Sequence, residues 1–417
     1  MKPWERRLRD LSQLLTNCHS TYFDPDLFRM NTNQFLQTAR TVTFIIQKNK
    51  VEIPNYQSWY AMAVVTPWGN DEVMTWAKDA RNIIEKEGDL ELNSLLKATL
   101  LFSYLEEQDL SIDCGRAELL TAGIKKLIRI AQKKLPSGVS DAAAVQFERR
   151  WVTASLPTWE LLHALSYAYA RIFDCCKSLA QQFGETLDSS IPHPDSFDTL
   201  RMEIRQVRYI KLNGLHVYSV ASKSTTVDRS FEPPEWIRST LSTIKARQSP
   251  ASSLAESLDF YTEMANLTFE HFGNHVPMLF ILNDRWEPID ILSTQFADQT
   301  DKFIFWRNVA DRILSLKASG LVWISEAWLR STERNSTAAI RNIPIVGERL
   351  HVLAMDRSGE RKRVSWEILR ASDSAKPTLR LIPDDGEMQK EEMPFFLVPA
   401  MRAMGIPDPA FITASIS

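Results

Sequence analysis

The sequence predicts a multidomain α+β protein, with a helical N-terminal bundle followed by a small C-terminal domain of mixed strands and helices. Its 417 residues are more than one hydrophobic core usually serves. Apolar residues recur with helical spacing through residues 1–190, whereas strand-like runs appear beyond a polar, proline-containing linker at 188–198. We therefore expect a helical domain over 1–190, a hairpin-and-helix connector over 198–272 and an α+β domain over 277–417.

Two helices of the first half have clear start and stop signals. Asp24 is a capping carboxylate, and Pro25 then suits the first helical position. The helix that begins there places these apolar side chains on one face: Phe28, Phe35, Ala39, Val42 and Ile46. Asp71 is predicted to cap the next helix, VMTWAKDARNIIEKE, and Gly88 stands where a glycine C-cap belongs.

Three further segments complete the first half. LKATLLFSYLEE (97–107) contains Thr, Phe and Tyr, which favours a strand over a helix. GRAELLTAGIKKLIRIAQKK is predicted to be helical, and its basic last turn suits the negative end of a helix dipole. After Thr158, apolar residues recur every three or four positions until Gly184, which predicts a long amphipathic helix that packs against the core.

Beyond the linker the apolar period changes. Asn213-Gly214 lies between β-rich runs, which predicts a hairpin, and residues 252–272 return to a helical pattern. From Pro277 the pattern predicts a small sheet with one helix packed on it. Its expected elements are strands MLFILND and EPIDILS, helix DKFIFWRNVADRILSLKA, strand LVWISEAW, hairpin LHVLAMD-RSGE-RKRVSWEIL and strand TLRLIPD.

Composition excludes several classes of function. The net charge of −3 gives no general attraction to nucleic acid, so any such contact needs a local basic patch. The two closest glycines, Gly115 and Gly123, are eight positions apart. Phosphate-binding loops and the serine elbow need glycines much closer together, so Rossmann, Walker A and GxSxG sites are excluded.

The sequence also predicts a cytoplasmic protein without a cofactor. No apolar run approaches the roughly 18 residues of a membrane helix, and the start, MKPWERRLRDLSQLL, lacks the apolar stretch of a secretory signal. The four cysteines, Cys18, Cys114, Cys175 and Cys176, form neither a CxxC motif nor a disulfide framework. We expect no membrane partner and no metal site.

Three stretches of the first half resemble the HEPN superfamily of helical domains, which is common in bacterial toxins, phage-defence proteins and RNA-processing nucleases. They are FDPDLFRMNTNQFLQTARTVTFIIQK (23–48), DARNIIEKEGDLE (79–91) and ERRWVTASLPTWELLHALSYAYARIF (148–173). The resemblance covers about residues 10–185. It implies a homodimer formed through the helical domain and a role in a stress or phage-defence system.

Active HEPN ribonucleases carry Arg, often followed by Asn, and then a His at the end of a helix. Arg81 and Asn82 match this pattern, but Lys86 stands where the histidine belongs, and no histidine of the chain has an arginine five to seven positions before it. A lysine with a pKa near about 10.4 contacts phosphate but does not accept a proton at neutral pH. Arg81 and Glu85 can also form an ordinary i,i+4 surface pair, so the structural interpretation stays open.

The long helix could supply the missing imidazole. His163, Tyr167 and Arg171 follow one polar stripe, and His163 would complete a catalytic set with Arg81 and Asn82 if the two helices shared a cleft. Lys86, Tyr167 and Arg171 would then bind the ligand. The alternative is a polar helix flank that forms only local pairs.

Three functions remain open, and the first two follow from this resemblance. The first is a degenerate HEPN-like protein that binds RNA or a protein partner. The second is a divergent, metal-independent HEPN ribonuclease that uses Arg81 and Asn82. The third is a structural adaptor that recruits a partner through its C-terminal domain.

A few residues of the second half are weaker candidates. His271 and His275 have i,i+4 spacing that suits a metal ion, but Gly273-Asn274 predicts that the helix ends between them. Glu326 follows a strand and is either a partner-facing acid or a strand-end charge. The basic run around RSGERKR can contact phosphate or can serve solubility alone.

Overall fold

The computed structural model describes the following residues: 1–115, 117–197, 206–214, 217–218, 223–224, 235, 238–239, 242, 251–331, 343–370, 376–383 and 394–408. Contacts divide the chain into two compact units. The N-terminal unit takes residues 1–98, 112–123 and 147–207, and the C-terminal unit takes residues 99–111, 124–146 and 208–417. Helices and two sheets are both present, so the predicted mixed α+β class is confirmed.

The helices follow the predicted signals closely. In chain order they are Pro3–Ser20 (α1), Pro25–Lys48 (α2), Tyr56–Tyr60 (α3), Thr66–Gly69 (α4), Glu72–Glu87 (α5), Ala117–Lys134 (α6), Ser137–Ser140 (α7), Leu161–Gln182 (α8), Leu254–Phe272 (α9), Gln299–Leu316 (α10) and Val398–Ala403 (α11). Asp24 and Asp71 accept capping hydrogen bonds from the amides of Leu27 and Met74, at 3.1 and 3.0 Å. Gly88 ends α5 at a φ of 99°, which confirms the predicted C-cap.

The strands form two sheets. They are Asn93–Leu101 (β1), Leu110–Asp113 (β2), Ala144–Val152 (β3), Gln206–Lys211 (β4), Val217–Tyr218 (β5), Lys223–Ser224 (β6), Met278–Leu282 (β7), Pro288–Ser293 (β8), Gly320–Arg330 (β9), Ile345–Asp356 (β10), Arg361–Leu369 (β11) and Thr378–Leu381 (β12). The first sheet has the order β2-β1-β3-β4-β5. The second has the order β12-β11-β10-β9-β7-β8-β6 and is antiparallel throughout.

The core of the N-terminal unit lies among α1, α2, α5 and α8. Phe28, Phe35 and Val42 of α2 are buried, as the helical period predicts, and so is the apolar stripe of α8. Glu160 caps α8 by accepting from the His163 amide at 2.9 Å. Helices with one apolar face are stable here because those faces share one core.

The seven-stranded sheet of the C-terminal unit is covered on both faces. Leu350 and Val352 of β10 pack in the core that includes α9, whereas Leu353 and Met355 pack in the core that includes α10 and α11. This alternation follows from the two-residue period of a strand. The predicted hairpin of β10 and β11 is confirmed, with Leu353 opposite Arg363.

Two parts of the sequence prediction differ from the structure. The segment expected to be a helical bundle contains β3, whose run AVQFERRWV is rich in the β-branched and aromatic residues that favour strands. Helix α9 packs on the C-terminal sheet through Leu258 and Tyr261, so its contacts do not set it apart as a connector. The boundaries at 1–190, 198–272 and 277–417 stay a prediction about domains, and the contact-defined units group these residues differently.

Candidate functional site

A cavity of about 310 Å³ lies in the N-terminal unit. Its apolar wall comes from α2, α4, α5, α8 and the segment Ala61–Val65. Its members include Leu36, Ala39, Val64, Trp68, Met74 and Ile172. Ligand pockets begin at roughly this size and are mostly apolar with a few polar groups. We call this feature the N-terminal cleft.

Segment Ala61–Val65 is a single π-helical turn between α3 and α4. Turns of this kind are rare in proteins, and those that do occur often lie at functional sites. Tyr60, just before it, also lines the cleft and accepts a hydrogen bond from the amide of Gln47. The turn leaves Met62 and Val65 exposed, at 70 % and 56 % of their surfaces.

Two cations stand at the rim of the N-terminal cleft. Arg40 lies over the Phe44 ring, 4.1 Å from its centroid, and donates to the Thr43 hydroxyl at 3.3 Å. Within the described ranges no carboxylate lies at ion-pair distance from Arg40. Lys78 is exposed, and its Nζ is 3.6 Å from an Asp79 carboxylate oxygen. The rim therefore favours a ligand that carries negative charge.

None of the residues predicted to act in catalysis or binding lines this cleft, and Ala39 was named only as part of the apolar face of α2. Arg40 and Lys78 lie on different helices and belong to no motif. Their proximity to one cavity comes from the packing of α2 against α5. A one-dimensional pattern shows which face of α2 is buried, but not where that packing leaves a gap.

Arg81, Asn82 and Lys86 lie outside the cleft lining. Arg81 forms an ion pair with Glu85 at 2.5 Å, donates to the Asn82 side-chain oxygen at 3.1 Å and is 5.7 Å from the centroid of the Phe44 ring. Lys86 is exposed in the last turn of α5. The i,i+4 pair proposed as the structural alternative is therefore present, and a catalytic role for Arg81 and Asn82 or a binding role for Lys86 stays a prediction.

The stripe of α8 meets the start of α5. The Tyr167 hydroxyl donates to an Asp71 carboxylate oxygen at 2.8 Å, and the Arg171 guanidinium donates to the same oxygen at 3.2 Å. His163 stacks on Trp159 with ring centroids 4.9 Å apart. Tyr167 and Arg171 thus hold the residue that caps α5, which fixes α5 against α8. Catalysis by His163 and ligand binding by Tyr167 and Arg171 stay predictions.

The weaker candidates of the C-terminal unit have local structural partners. Helix α9 ends at Phe272, between His271 and His275, as Gly273 predicted. Glu326 accepts from the His275 amide at 2.6 Å, and burial raises the pKa of that carboxyl. Among the described residues no group of three or more His, Cys, Asp or Glu side chains is placed to hold a metal ion.

A search of the helices in the described part of the chain finds none with the length and apolar character needed to cross a bilayer.

Comparisons with known proteins find a matching protein family and a related protein, both from a phage. The family described as bacteriophage lambda protein ea47 matches residues 1–401. Protein ea47 of Escherichia phage lambda is 44 % identical over 404 residues, which cover 97 % of this chain and 97 % of that protein. No solved structure matches.

The predicted relationship to the HEPN superfamily is wrong. The ea47 match includes residues 10–185, which carried that resemblance, and continues through the C-terminal unit. The features behind the prediction, a capped helix and Arg-Asn near a helix end, arise in many helical proteins. The homodimer and the bacterial defence role rested on the same resemblance and lose their support with it.

Proposed function

Because the chain belongs to the phage lambda Ea47 family, we propose that it serves a phage by binding another protein. The proposed site is the N-terminal cleft, and the proposed occupant is an amphipathic helix with acidic residues beside its apolar face. The observation that carries the proposal is the combination of an apolar cavity with a rim arginine that has no carboxylate partner among the described residues.

Apolar surface extends beyond the cavity. Val65 lines the cleft and is mostly exposed, Met62 lies in the same π-helical turn, and Phe44 is exposed under the Arg40 guanidinium. A ligand small enough to fill only the cavity would leave these side chains in water. A helix that presents apolar residues at i, i+3, i+4 and i+7 can insert one anchor and cover the rest.

Charge sets the preference among such helices. Arg40 and Lys78 flank the cleft, and a guanidinium binds a carboxylate through two parallel hydrogen bonds. An acidic helix therefore gains ion pairs at the rim, whereas a basic helix is repelled.

The test uses the full chain and two fluorescein-labelled amphipathic peptides. Both carry the same leucines, but one has glutamate and the other lysine at the flanking positions. We expect fluorescence anisotropy to show that the glutamate peptide binds at least about tenfold more tightly, which corresponds to about 1.4 kcal/mol. Equal binding of the two peptides, or no binding of either, would contradict the proposal.

Matched variants assign the binding to the cleft. Arg40→Gln should weaken binding of the glutamate peptide about tenfold. Lys48→Gln removes one exposed cation from the same helix but from outside the cleft lining, and it should have little effect. Val65→Ser should weaken binding of both peptides, because it removes exposed apolar surface without changing charge. Equal effects of Arg40→Gln and Lys48→Gln would mean that only general charge matters.

A further inference from the structure

A second polar surface lies in the C-terminal unit, on one face of the β10–β11 hairpin. The strand register places Arg349 opposite Glu367, His351 opposite Ser365, Leu353 opposite Arg363 and Met355 opposite Arg361. Directly opposite residues share a face in an antiparallel pair. We call this surface the arginine face, and we define it by Arg349, His351, Arg361, Arg363 and Ser365.

The core against α10 and α11 ends at β10. Leu353 and Met355 belong to that core, but the residues opposite them on β11, Arg363 and Arg361, do not. These arginines are half-buried beside the apolar cluster and are not part of it. A half-buried position weakens screening by water, so their charge acts more strongly on a nearby anion than that of a fully exposed lysine.

Two of these arginines have no anionic partner within the described ranges. No carboxylate there lies at ion-pair distance from Arg349 or Arg361. The Nη1 atom of Arg361 is buried and has no hydrogen-bond acceptor there either. Buried polar atoms are nearly always satisfied in proteins, so such a nitrogen points to an acceptor supplied from outside.

Among the residues that the structure describes, few acidic groups lie on the arginine face. At its edge Glu367 is paired with Arg380 of β12. Among the described residues of β9 to β12 that glutamate is the one carboxylate whose register places it on this face, against the arginines at 349, 361, 363 and 380. Asp290 of β8 lies on the same side of the sheet, but it is buried against Arg312. The face is therefore strongly positive, although the chain as a whole has a charge of −3.

We propose that the arginine face binds the phosphate backbone of a nucleic acid. Guanidinium groups match the geometry of phosphate oxygens and form paired hydrogen bonds with them. Arg361 and Arg363 are two positions apart on one strand, which places their Cα atoms about 7 Å apart, the order of separation between neighbouring phosphates on an extended strand. Repeated charges at this spacing suit a regular polyanion better than an acidic protein surface.

The face also predicts weak sequence preference. The exposed Trp328 is opposite Glu348, so it lies on the other side of the sheet. Because no exposed aromatic side chain of the described strands stands beside the arginines, we expect the contacts to be to phosphate and not to bases. Binding through phosphates releases counterions and should therefore fall steeply with salt.

The test measures binding of the full chain to labelled DNA. Probes are a mixed-sequence 30-nucleotide strand, its duplex and a labelled poly-glutamate of similar charge, each measured by anisotropy at several NaCl concentrations. We expect both DNA forms to bind, with an affinity that falls with salt, and poly-glutamate to bind at least about tenfold more weakly. Equal binding of poly-glutamate would assign the face to acidic proteins, and failure of both DNA forms to bind would also overturn the proposal.

Paired double variants locate the contact. Arg349→Ala with Arg361→Ala should weaken DNA binding at least tenfold and reduce the salt slope by about 1.4 for a single strand, at about 0.7 for each phosphate contact. The control is Lys362→Ala with Arg370→Ala, which removes the same charge from residues paired with Glu360 and Glu348. An equal loss in the control would show that only net charge matters.

A measurement on the unaltered protein avoids any folding defect of the variants. Phenylglyoxal modifies arginine side chains, and mass spectrometry reads each site. Bound DNA should protect Arg349, Arg361 and Arg363 but leave Arg370 as reactive as before. Unchanged reactivity of the three arginines under saturating DNA would overturn the proposal, whatever the variants show.

Discussion

The buried Glu160 of the N-terminal unit and the buried carboxylates of the C-terminal unit have partners of different charge. In the N-terminal unit the buried Glu160 carboxyl is held by neutral donors, the Tyr22 hydroxyl at 2.7 Å and the His163 amide at 2.9 Å. Burial raises its pKa. In the C-terminal unit buried carboxylates face full cations instead, as in the pair of Asp290 and Arg312 at 2.7 Å.

Further pairs of the C-terminal unit follow the same rule. Lys211 lies between Asp298 and Asp301. Arg307 donates to the Asp109 carboxylate through Nη1 and Nη2, the two terminal nitrogens of its guanidinium group. A lone buried carboxyl can reduce its desolvation cost by taking up a proton, whereas removing one member of a buried ion pair leaves an uncompensated charge. Loss of one member of the Asp290–Arg312 pair should therefore cost more stability than loss of a donor to Glu160.

The largest expected loss of stability follows from substitution of Asp290. Its side chain is 0 % exposed and that of Arg312 is 6 % exposed, so Asp290→Ala should lower the free energy of unfolding by about 3–5 kcal/mol. Urea unfolding followed by tryptophan fluorescence measures the loss, because Trp306 and Trp323 belong to the apolar core of the same unit.

Two controls sharpen this comparison. Glu367→Ala removes an exposed pair with Arg380 from the same sheet and should cost less than about 1 kcal/mol. Asp290→Leu combined with Arg312→Met replaces both charges by apolar groups and should recover most of the loss. If the double variant is as unstable as Asp290→Ala alone, the cost lies in packing and not in an unpaired charge.

A pH effect should appear at His351. Burial, together with the charges of the neighbouring Arg363 and Arg349, lowers the pKa of His351 to about 4. The unfolded chain takes up this proton near pH 6.5, so stability falls as pH falls from about 6.5 to 4, by at most about 3 kcal/mol. His351→Gln should reduce the difference in urea midpoint between pH 7.5 and pH 5.

Nuclear magnetic resonance gives the direct check. Arg363→Gln removes one cation near the imidazole and should raise the pKa of His351 toward its ordinary value. An unchanged pKa in this variant would show that burial alone sets the titration. It would also show that the charges of the arginine face act too weakly at His351 to matter.

Much of the fold could be predicted because its signals are local. Asp24 and Asp71 cap helices, Gly88 and Gly273 end them, and the RSGE turn joins two strands of matching register. Each of these depends on a few neighbouring residues. Strand β3 was missed because ERRWV belongs to the stretch 148–173, most of which is the long helix α8, and was included in the helical resemblance.

The candidate sites were less predictable because they arise from tertiary packing. The N-terminal cleft needs Arg40 and Lys78 on different helices, and Arg307 finds Asp109 across 198 positions of sequence. The basic run around RSGERKR was noted from the sequence. Because successive side chains of a strand point to opposite faces of the sheet, however, its basic residues lie on two faces. Arg361 and Arg363 share one face with Arg349, and Lys362 lies on the other.

The smallest expected effect returns to Arg81. Its side chain is 22 % exposed and that of Glu85 is 43 % exposed, so Arg81→Ala should lower the free energy of unfolding by no more than about 0.5 kcal/mol. Arg171→Ala is the matched comparison, since it also removes an arginine that bonds a carboxylate of the same unit, in this case the Asp71 that caps α5. Thermal unfolding of the two variants, side by side, measures the difference.

Arg171→Ala should cost more, about 1–2 kcal/mol, because the Asp71 side chain is only 6 % exposed and cannot turn to water when its donor is lost. The Tyr167 hydroxyl still bonds Asp71 in that variant, which keeps the loss below that of Asp290→Ala. The contribution of an arginine ion pair to the free energy of unfolding thus depends on the burial of the carboxylate. If Arg81→Ala cost as much as Arg171→Ala, Arg81 would hold more of the structure than its pair with Glu85 explains.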